Sequence, residues 1–466
     1  MQLSHRSSSL SAAFDEPSLV SAGGLVPVLA LADRVGLRRL GDEHLTVPGD
    51  KGAHAGAKVA ALVAGMVAGA DSIEDMNVLR HGGMGRLFTG LYAPSTLGSF
   101  LRAFAFGHVR QLDAIAARLV ANLAGQTPLL ADAARIAYLD VDDTIRATYG
   151  YAKQGAGYGY SGVKGLNALI AALSTPSSAP VIVATRLRKG SANSARGAAR
   201  LVADALRTSR ACGAGGKGGL LVVRADSAFY GRDVVAAIGR AKARFSITAR
   251  QDAAVKPAIA GISEDAWTTI RYPHAVFDEQ LQQWVSDAQV AEVPFTAFTS
   301  RGKKNQITAR LIVRRVRDQN PEHVVADAQG ELFAAWRHHA VFTNSPLMMV
   351  QAEADHRRHS IIEQVIADLK GGPLAHLPSG KFNANGAWLA LAAMAFNLTR
   401  AAGALASLFH ARATTATIRR QLINIPARPV RSARRIHLRL PTNWPWADAW
   451  LDLFSAALGP PPAAAA

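Results

Sequence analysis

Apolar and polar residues follow three successive rhythms along this chain. From residue 16 to about 130 the apolar positions recur at helical spacing, in AKVAALVAGMVAGA, SIEDMNVLRHGGMGRLF and APSTLGSFLRAFAFGHVRQLDAIAARLVANLA. Pro94-Ser95-Thr96 reads as a helix start, because Ser and Thr side chains satisfy the orphan N–H groups there. Short helices joined by glycine turns fit a helix-turn-helix-like DNA-binding region or an ordinary helical bundle. Between 136 and 250 the rhythm changes. IAYLDVDD, APVIVATRLRKG, GGLLVVRAD and ARFSITARQ read as strands, with SARGAARLVADALRTS and GRDVVAAIGRAK as helices between them. That alternation predicts an α/β layer fold on a mixed sheet. From 251 to 344, WTTIRY, EVPFTAFTS, QITARLIVRRV and ELFAAWRHHAVFTN read as strands with little helix between them, a separate β-rich insertion. Helix returns at HRRHSIIEQVIADLKGG and AWLALAAMAFNLTRAAGALASLF.

The length, 466 residues, is enough for two or three domains, and a composition 49% apolar reads as a folded soluble protein. The net charge of +18 favours a polyanionic partner, nucleic acid first. A single cysteine, Cys212, excludes an internal disulfide framework and fits a reducing cytoplasm. The apolar run VAALVAGMVAGA falls short of the roughly 20 residues a membrane span needs, and the polar, serine-rich start lacks the apolar centre of a signal peptide. No membrane partner is expected. Eight arginines and no acidic residue lie between Arg412 and Arg439, a run suited to phosphates.

The candidate chemistry is acidic. YLDVDDT puts Asp140, Asp142 and Asp143 at the end of a buried strand, where carboxylates are costly unless paired or metal-bound. Strand alternation turns Asp140 and Asp142 to one face and Asp143 to the other. Asp226 follows the apolar run GGLLVV near the carboxyl end of another buried strand, and the carboxyl ends of strands are where α/β sheets place ligands. On a continuous helix through HRRHSIIEQVIADLK, His356, His359, Glu363 and Lys370 share an arc of roughly 60°, opposite Ile361, Ile362, Val365 and Leu369. Two strand-end aspartates and a helix glutamate can hold two hard divalent cations, the arrangement used in phosphoryl transfer.

With these motifs together the chain resembles a bacterial insertion-sequence transposase of the DDE type. Within that group it is similar to the insertion-sequence thirteen-eighty family, related to the class with a Tyr-Arg-Glu-Lys signature. LDVDDT, VRADSAFY, HRRHSIIEQVIADLKGGPLAHLPSGKFNANGAWLALAAMAFNLTRAAG and PARPVRSARRIHLRLPTNWPW carry the likeness. The resemblance implies a catalytic, metal-holding triad of Asp142, Asp226 and Glu363, with Asp140, Lys370, His356 and His359 in support. His356 and His359 stand where the wider signature has Tyr and Arg.

It also implies two Mg²⁺ ions per site, with Mn²⁺ as substitute, and an RNase-H-like mixed sheet flanked by helices. The organisation becomes a disordered tail (1–15), a helical N-terminal DNA-binding region (16–130), a core split by the β-rich insertion (131–250, 251–344, 345–405) and a basic C-terminal region (406–466). Expected DNA contacts are Arg301, Lys303, Lys304, Arg310, Arg314, Arg315, Lys370, Arg419, Arg420, Arg428, Arg431, Arg434 and Arg435. Trp267, Trp284 and Trp336 are candidates to stack on a flipped base, with core packing as the plainer role. Expected partners are terminal inverted repeats, target DNA and a second copy in the DNA complex, in the bacterial cytoplasm. The rival functions are a catalytically silent DNA-binding regulator and an RNase-H-like nuclease without strand transfer.

Overall fold

The structure is a computed structural model that describes the chain except residues 5, 150–151, 160, 273–275, 281–282, 286–287, 318–324, 327–331, 334–335, 434 and 460–466. Six helices come first: α1 (Leu25–Arg34), α2 (Leu37–His44), α3 (Ala55–Ala68), α4 (Met84–Leu87), α5 (Pro94–Arg102) and α6 (Phe106–Gln126). Strands β1 (Ile136–Ala147), β2 (Gly157–Tyr158), β3 (Lys164–Ser174) and β4 (Val181–Lys189) lead to α7 (Ala198–Ala211) and β5 (Leu220–Ala225). Next are α8 (Arg232–Arg240), β6 (Arg244–Thr248) and α9 (Val255–Ala260). The strand-rich stretch holds β7 (Thr268–Thr269), β8 (Val276–Asp278), β9 (Gln283–Val285), β10 (Ala288–Ala297), β11 (Ile307–Arg317), β12 (Val325–Ala326), β13 (Leu332–Phe333) and β14 (Trp336–Thr343). Helices α10 (Met349–Arg357), α11 (Ile361–Lys370), α12 (Phe382–Ala406), α13 (Leu408–Arg412) and α14 (Thr415–Ile418) precede β15 (Arg428–Ser432), β16 (Arg435–Arg439) and α15 (Ala447–Leu458).

Ten strands form one mixed sheet in the order β2-β3-β1-β5-β6-β14-β11-β10-β7, with β4 also on β3. β1 pairs antiparallel with β3 and parallel with β5, and β5 pairs parallel with β6. This mixed α/β order is compatible with an RNase-H-like transposase fold. The main strands of 251–344 do not form a sheet apart: Val341–Thr343 of β14 pairs with Ser246–Thr248 of β6, so β14, β11, β10 and β7 extend the central sheet, while β8 with β9 and β12 with β13 form two small two-stranded sheets of their own.

Two elements differ from the pattern reading. β3, KGLNALIAALS, has no polar alternation because it is buried on both faces, and so it gives no period-2 signal. The single helix expected through HRRHSIIEQVIADLK breaks into α10 and α11 at a 3₁₀ turn, Arg358–Ser360. Helix α5 does begin at Pro94, but Ala93 is its N-cap and no side chain caps it; proline, whose missing N–H costs nothing at the first position, sets the start.

The core runs through α12, which packs against α6, β4 and α3. It is long and apolar enough to cross a membrane, yet 89% of its most apolar window is buried inside the protein, so it is a core helix. Asn397 of α12 donates to the Ile182 carbonyl at 2.7 Å and accepts from the Ile182 N–H at 2.8 Å, covering part of the β4 edge. Almost every residue of α3 is buried, which leaves that helix no face to offer a DNA groove. The chain's two ends interlock. Val20 bridges Ala427, and Gly24 donates to Ile423, where a β-carbon would meet the Leu422 carbonyl at 1.8 Å.

Candidate active site

Parallel pairing of β1 with β5 ends at Val141 opposite Ala225, so the next residues, Asp142 and Asp226, are neighbours across the sheet. Both line one groove of about 300 Å³ with Glu363 from the first turn of α11, His359 and the buried Glu353. The structure therefore brings the three expected carboxylates to one place. Asp142 accepts a hydrogen bond from the Asp143 N–H at 2.7 Å, and Asp226 accepts one from the Ala228 N–H at 3.0 Å. Among the described residues, no lysine or arginine forms an ion pair with Asp142, Asp226 or Glu363. Burial, with the Asp226 charge beside it, pushes the Asp142 carboxyl up to about 6. Burial also raises Asp226.

The other two aspartates of YLDVDDT are compensated by the protein itself. Asp140 is fully buried and takes a bidentate ion pair from Arg224, 2.7 Å on each oxygen, plus His359 Nδ1 at 2.9 Å. Burial opposes its ionisation, but Arg224 and His359 outweigh that and hold its carboxyl below the usual range. Asp143, on the opposite face, pairs with Arg188 of β4 and accepts from Asn167 at 2.8 Å and Ser194 at 3.2 Å.

Arg224 escaped the pattern reading. It is 2% exposed, stacks on Tyr138 with its guanidinium 4.3 Å from the ring centroid, and donates to the Asp355 carbonyl at 2.5 Å. The Tyr138 hydroxyl donates to the Asp355 carboxylate at 2.6 Å. β1, β5 and the end of α10 are thus tied by one buried network. An arginine inside the apolar run LLVVRA was its sequence signal.

The 3₁₀ turn gives the two histidines different tasks. His356 turns inward, with Ser246 Oγ and Thr248 Oγ1 each 3.0 Å from one ring nitrogen. Burial, then His359 and Arg224, push it down to about 3, so it is neutral at physiological pH and does not grip phosphate. His359 lines the groove while bonded to Asp140. Lys370 is half-buried; burial and Arg146 lower its pKa, against the pull of Asp142. Of the expected apolar face of α11, Ile362, Val365 and Leu369 are buried, while Ile361 is only partly buried.

The expected DNA contacts divide. Arg301, Lys303, Lys304, Arg420, Arg428, Arg431 and Arg435 are exposed. Arg434 lies outside the described residues. Arg310 is paired with Glu292, and Arg314 with Glu353. Arg315 is 6% exposed, bidentate to Glu264 at 2.9 and 2.7 Å, and held between the Trp267 and Trp336 rings. These three turn to protein carboxylates because they share β11, a strand inside the extended sheet, and both tryptophans enclose Arg315. The Trp284 side chain is outside the described ones. Arg419 is partly buried and donates to the Val67 carbonyl at 3.2 Å.

YLDVDDT does not end its strand as expected, because pairing with β3 carries β1 on to Ala147; Asp142 sits where the parallel pairing with β5 stops, and Asp226 just past the end of β5. A mixed sheet that delivers these two carboxylates and a helix carboxylate to a common groove defines an α/β protein with an acidic site. The family model for the transposase DDE domain, group 1, matches residues 3–458, and the chain belongs to that family. Membership supports a transposase function, implies DNA as partner and suggests a metal-dependent enzyme. No curated protein matches the chain.

Family members typically use divalent metal ions. The donor set suits them chemically: hard carboxylate oxygens, one with a pKa raised by burial and a like-charged neighbour, and none in an ion pair with a lysine or arginine among the described residues. Among the described residues no three His, Cys, Asp or Glu side chains are already drawn together closely enough to hold an ion.

Proposed function

We propose that this protein is an insertion-sequence transposase of the thirteen-eighty family that excises and integrates its element, with Asp142, Asp226 and Glu363 as the acidic triad. The observation that carries the reading is the single groove lined by all three carboxylates, none of them ion-paired to a lysine or arginine among the described residues. They would hold two Mg²⁺ ions. When bound, such ions activate an attacking water or 3′-hydroxyl and stabilise the leaving oxygen of a phosphodiester.

The chain's own residues prepare that chemistry. Asp140, Arg224 and His359 fix the strand that presents Asp142. The turn at 358–360 aims Glu363 into the groove, and Lys370 would bind a phosphate beside Asp142. In this reading an RNase-H-like core (131–250 and 345–405) carries the site, while the helical (16–130), β-rich (251–344) and basic C-terminal (406–466) regions handle DNA. Two copies would bring two element ends together.

The test is excision of a marked element in cells. Asp142→Asn and Glu363→Gln are expected to abolish it at unchanged protein level, and wild-type excision by either variant would refute the assignment.

A further inference from the structure

A second cavity, about 520 Å³, opens on the other side of the 358–360 turn and shares Ser360 with the acidic groove. Four arginines line it, Arg224, Arg358, Arg400 and Arg412, and no acidic residue does. Two of them are already neutralised, Arg224 by Asp140 and Arg358 by Asp355 at 2.9 Å. Arg400 and Arg412 differ: among the described residues neither forms an ion pair. Arg400 is only 5% exposed, and its Nε is buried without a hydrogen-bond partner. Among the described residues its hydrogen bond runs to a neutral acceptor, the Ala413 carbonyl. Arg412 stands exposed at the rim and donates to the Ser177 carbonyl at 3.5 Å.

A guanidinium does not shed its proton in a protein, and the Asp368 carboxylate that attracts Arg400 is shared with Arg419 and already hydrogen-bonded by Thr415, so the buried charge is only partly offset and stays costly. The cost is relieved when an anion enters the cavity. Arginine presents a planar fork suited to phosphate oxygens. The Ser360 hydroxyl and the Gln364 amide border the same space.

We propose that this cavity is a phosphate site, filled by a backbone phosphate of the DNA strand that also runs into the acidic groove. Arg400 supplies the buried charge and Arg412 closes over the phosphate from the rim. Only the choice of DNA as ligand rests on the transposase reading.

The test uses the full chain and three proteins: wild type, Arg400→Met and Arg412→Gln. One arm measures melting temperature in sodium phosphate against sodium chloride of equal ionic strength. The other measures binding of a fluorescent DNA duplex across a salt series. Phosphate is expected to raise the wild-type melting temperature and to leave both variants unmoved. Each variant is expected to lower the salt slope of DNA binding by about one. If Arg400→Met does not fold, Arg412→Gln, at an exposed position, reads both arms. A phosphate effect with an unchanged DNA slope would mean a site for free phosphate and would overturn the DNA assignment. No phosphate-specific effect would overturn the site itself. Loss of the salt slope with excision by Asp142→Asn intact would sink the transposase reading and leave the phosphate site standing.

Discussion

Asp142→Asn removes a residue of the acidic site, yet it is expected to make the metal-free protein more stable at neutral pH. The Asp142 carboxyl is raised from 3.8 to about 6 by burial and by the neighbouring Asp226 charge. The folded protein therefore keeps this proton to a higher pH than the unfolded chain does. Stability falls as pH rises through the window from 3.8 to about 6 and is level above it. A shift of this size corresponds to about 3 kcal/mol of strain at pH 8 and about half of that at pH 5. Solvent on the open side of the groove lowers both figures, so about 1–3 kcal/mol at pH 8 is the expected gain. Asparagine carries no charge, and its oxygen still accepts the Asp143 N–H, which isolates the charge as the cause. Urea unfolding of both proteins in EDTA at pH 5 and pH 8, followed by tryptophan fluorescence, measures the difference. Equal stability at pH 8, or a gap that does not widen between the two pH values, would refute the reasoning.

Other perturbations probe neighbouring parts of the site. Magnesium is expected to raise the wild-type melting temperature and EDTA to reverse it, with little effect on Asp142→Asn or Glu363→Gln in a thermal-shift titration. Arg188→Met leaves the Asp143 charge with only Asn167 and Ser194, at a cost of about 3–5 kcal/mol in equilibrium unfolding, and adding Asp143→Asn should restore much of it. His356 is held neutral, so the unfolded chain takes up a proton below about pH 6.5 that the native protein refuses. His356→Gln should therefore lose less melting temperature than wild type between pH 7 and pH 5.

How far the sequence carried the fold depended on where burial left a pattern. β1 and β5 were legible because apolar runs end in aspartates, and the face separation of Asp140 and Asp142 from Asp143 follows from strand alternation alone. β3 was not, since a strand buried on both sides offers no alternation. The rest of the site depended on contacts between distant positions. Nothing local in HRRHSIIEQ says that the helix breaks at 358–360. The partners that bury His356, Ser246 and Thr248, lie more than a hundred residues upstream. Arg315 likewise reads as a basic strand residue until the sheet closes around it with Glu264, Trp267 and Trp336.

Asp140 supplies the sharpest separation of roles, because it shares a strand face with Asp142 and stands two residues away. Asp140 is ionised against a fully buried Arg224, with which it makes two 2.7 Å hydrogen bonds. Its folded pKa is lowered, so its stabilisation is present above the ordinary carboxylate range and lost as pH falls through the folded value. Asp140→Asn strands the Arg224 charge in the core, an effect of about 3–5 kcal/mol toward unfolding at pH 7. It also loosens the Tyr138–Arg224–Asp355 network beneath the glutamate helix, so excision should fall while magnesium still stabilises the variant. Asp142→Asn should do the reverse on both counts, with higher metal-free stability and no response to magnesium. Substitutions of one kind, two positions apart, are thus expected to move stability in opposite directions. Unfolding curves in EDTA that moved in the same direction for both variants would show that the two carboxylates do one job.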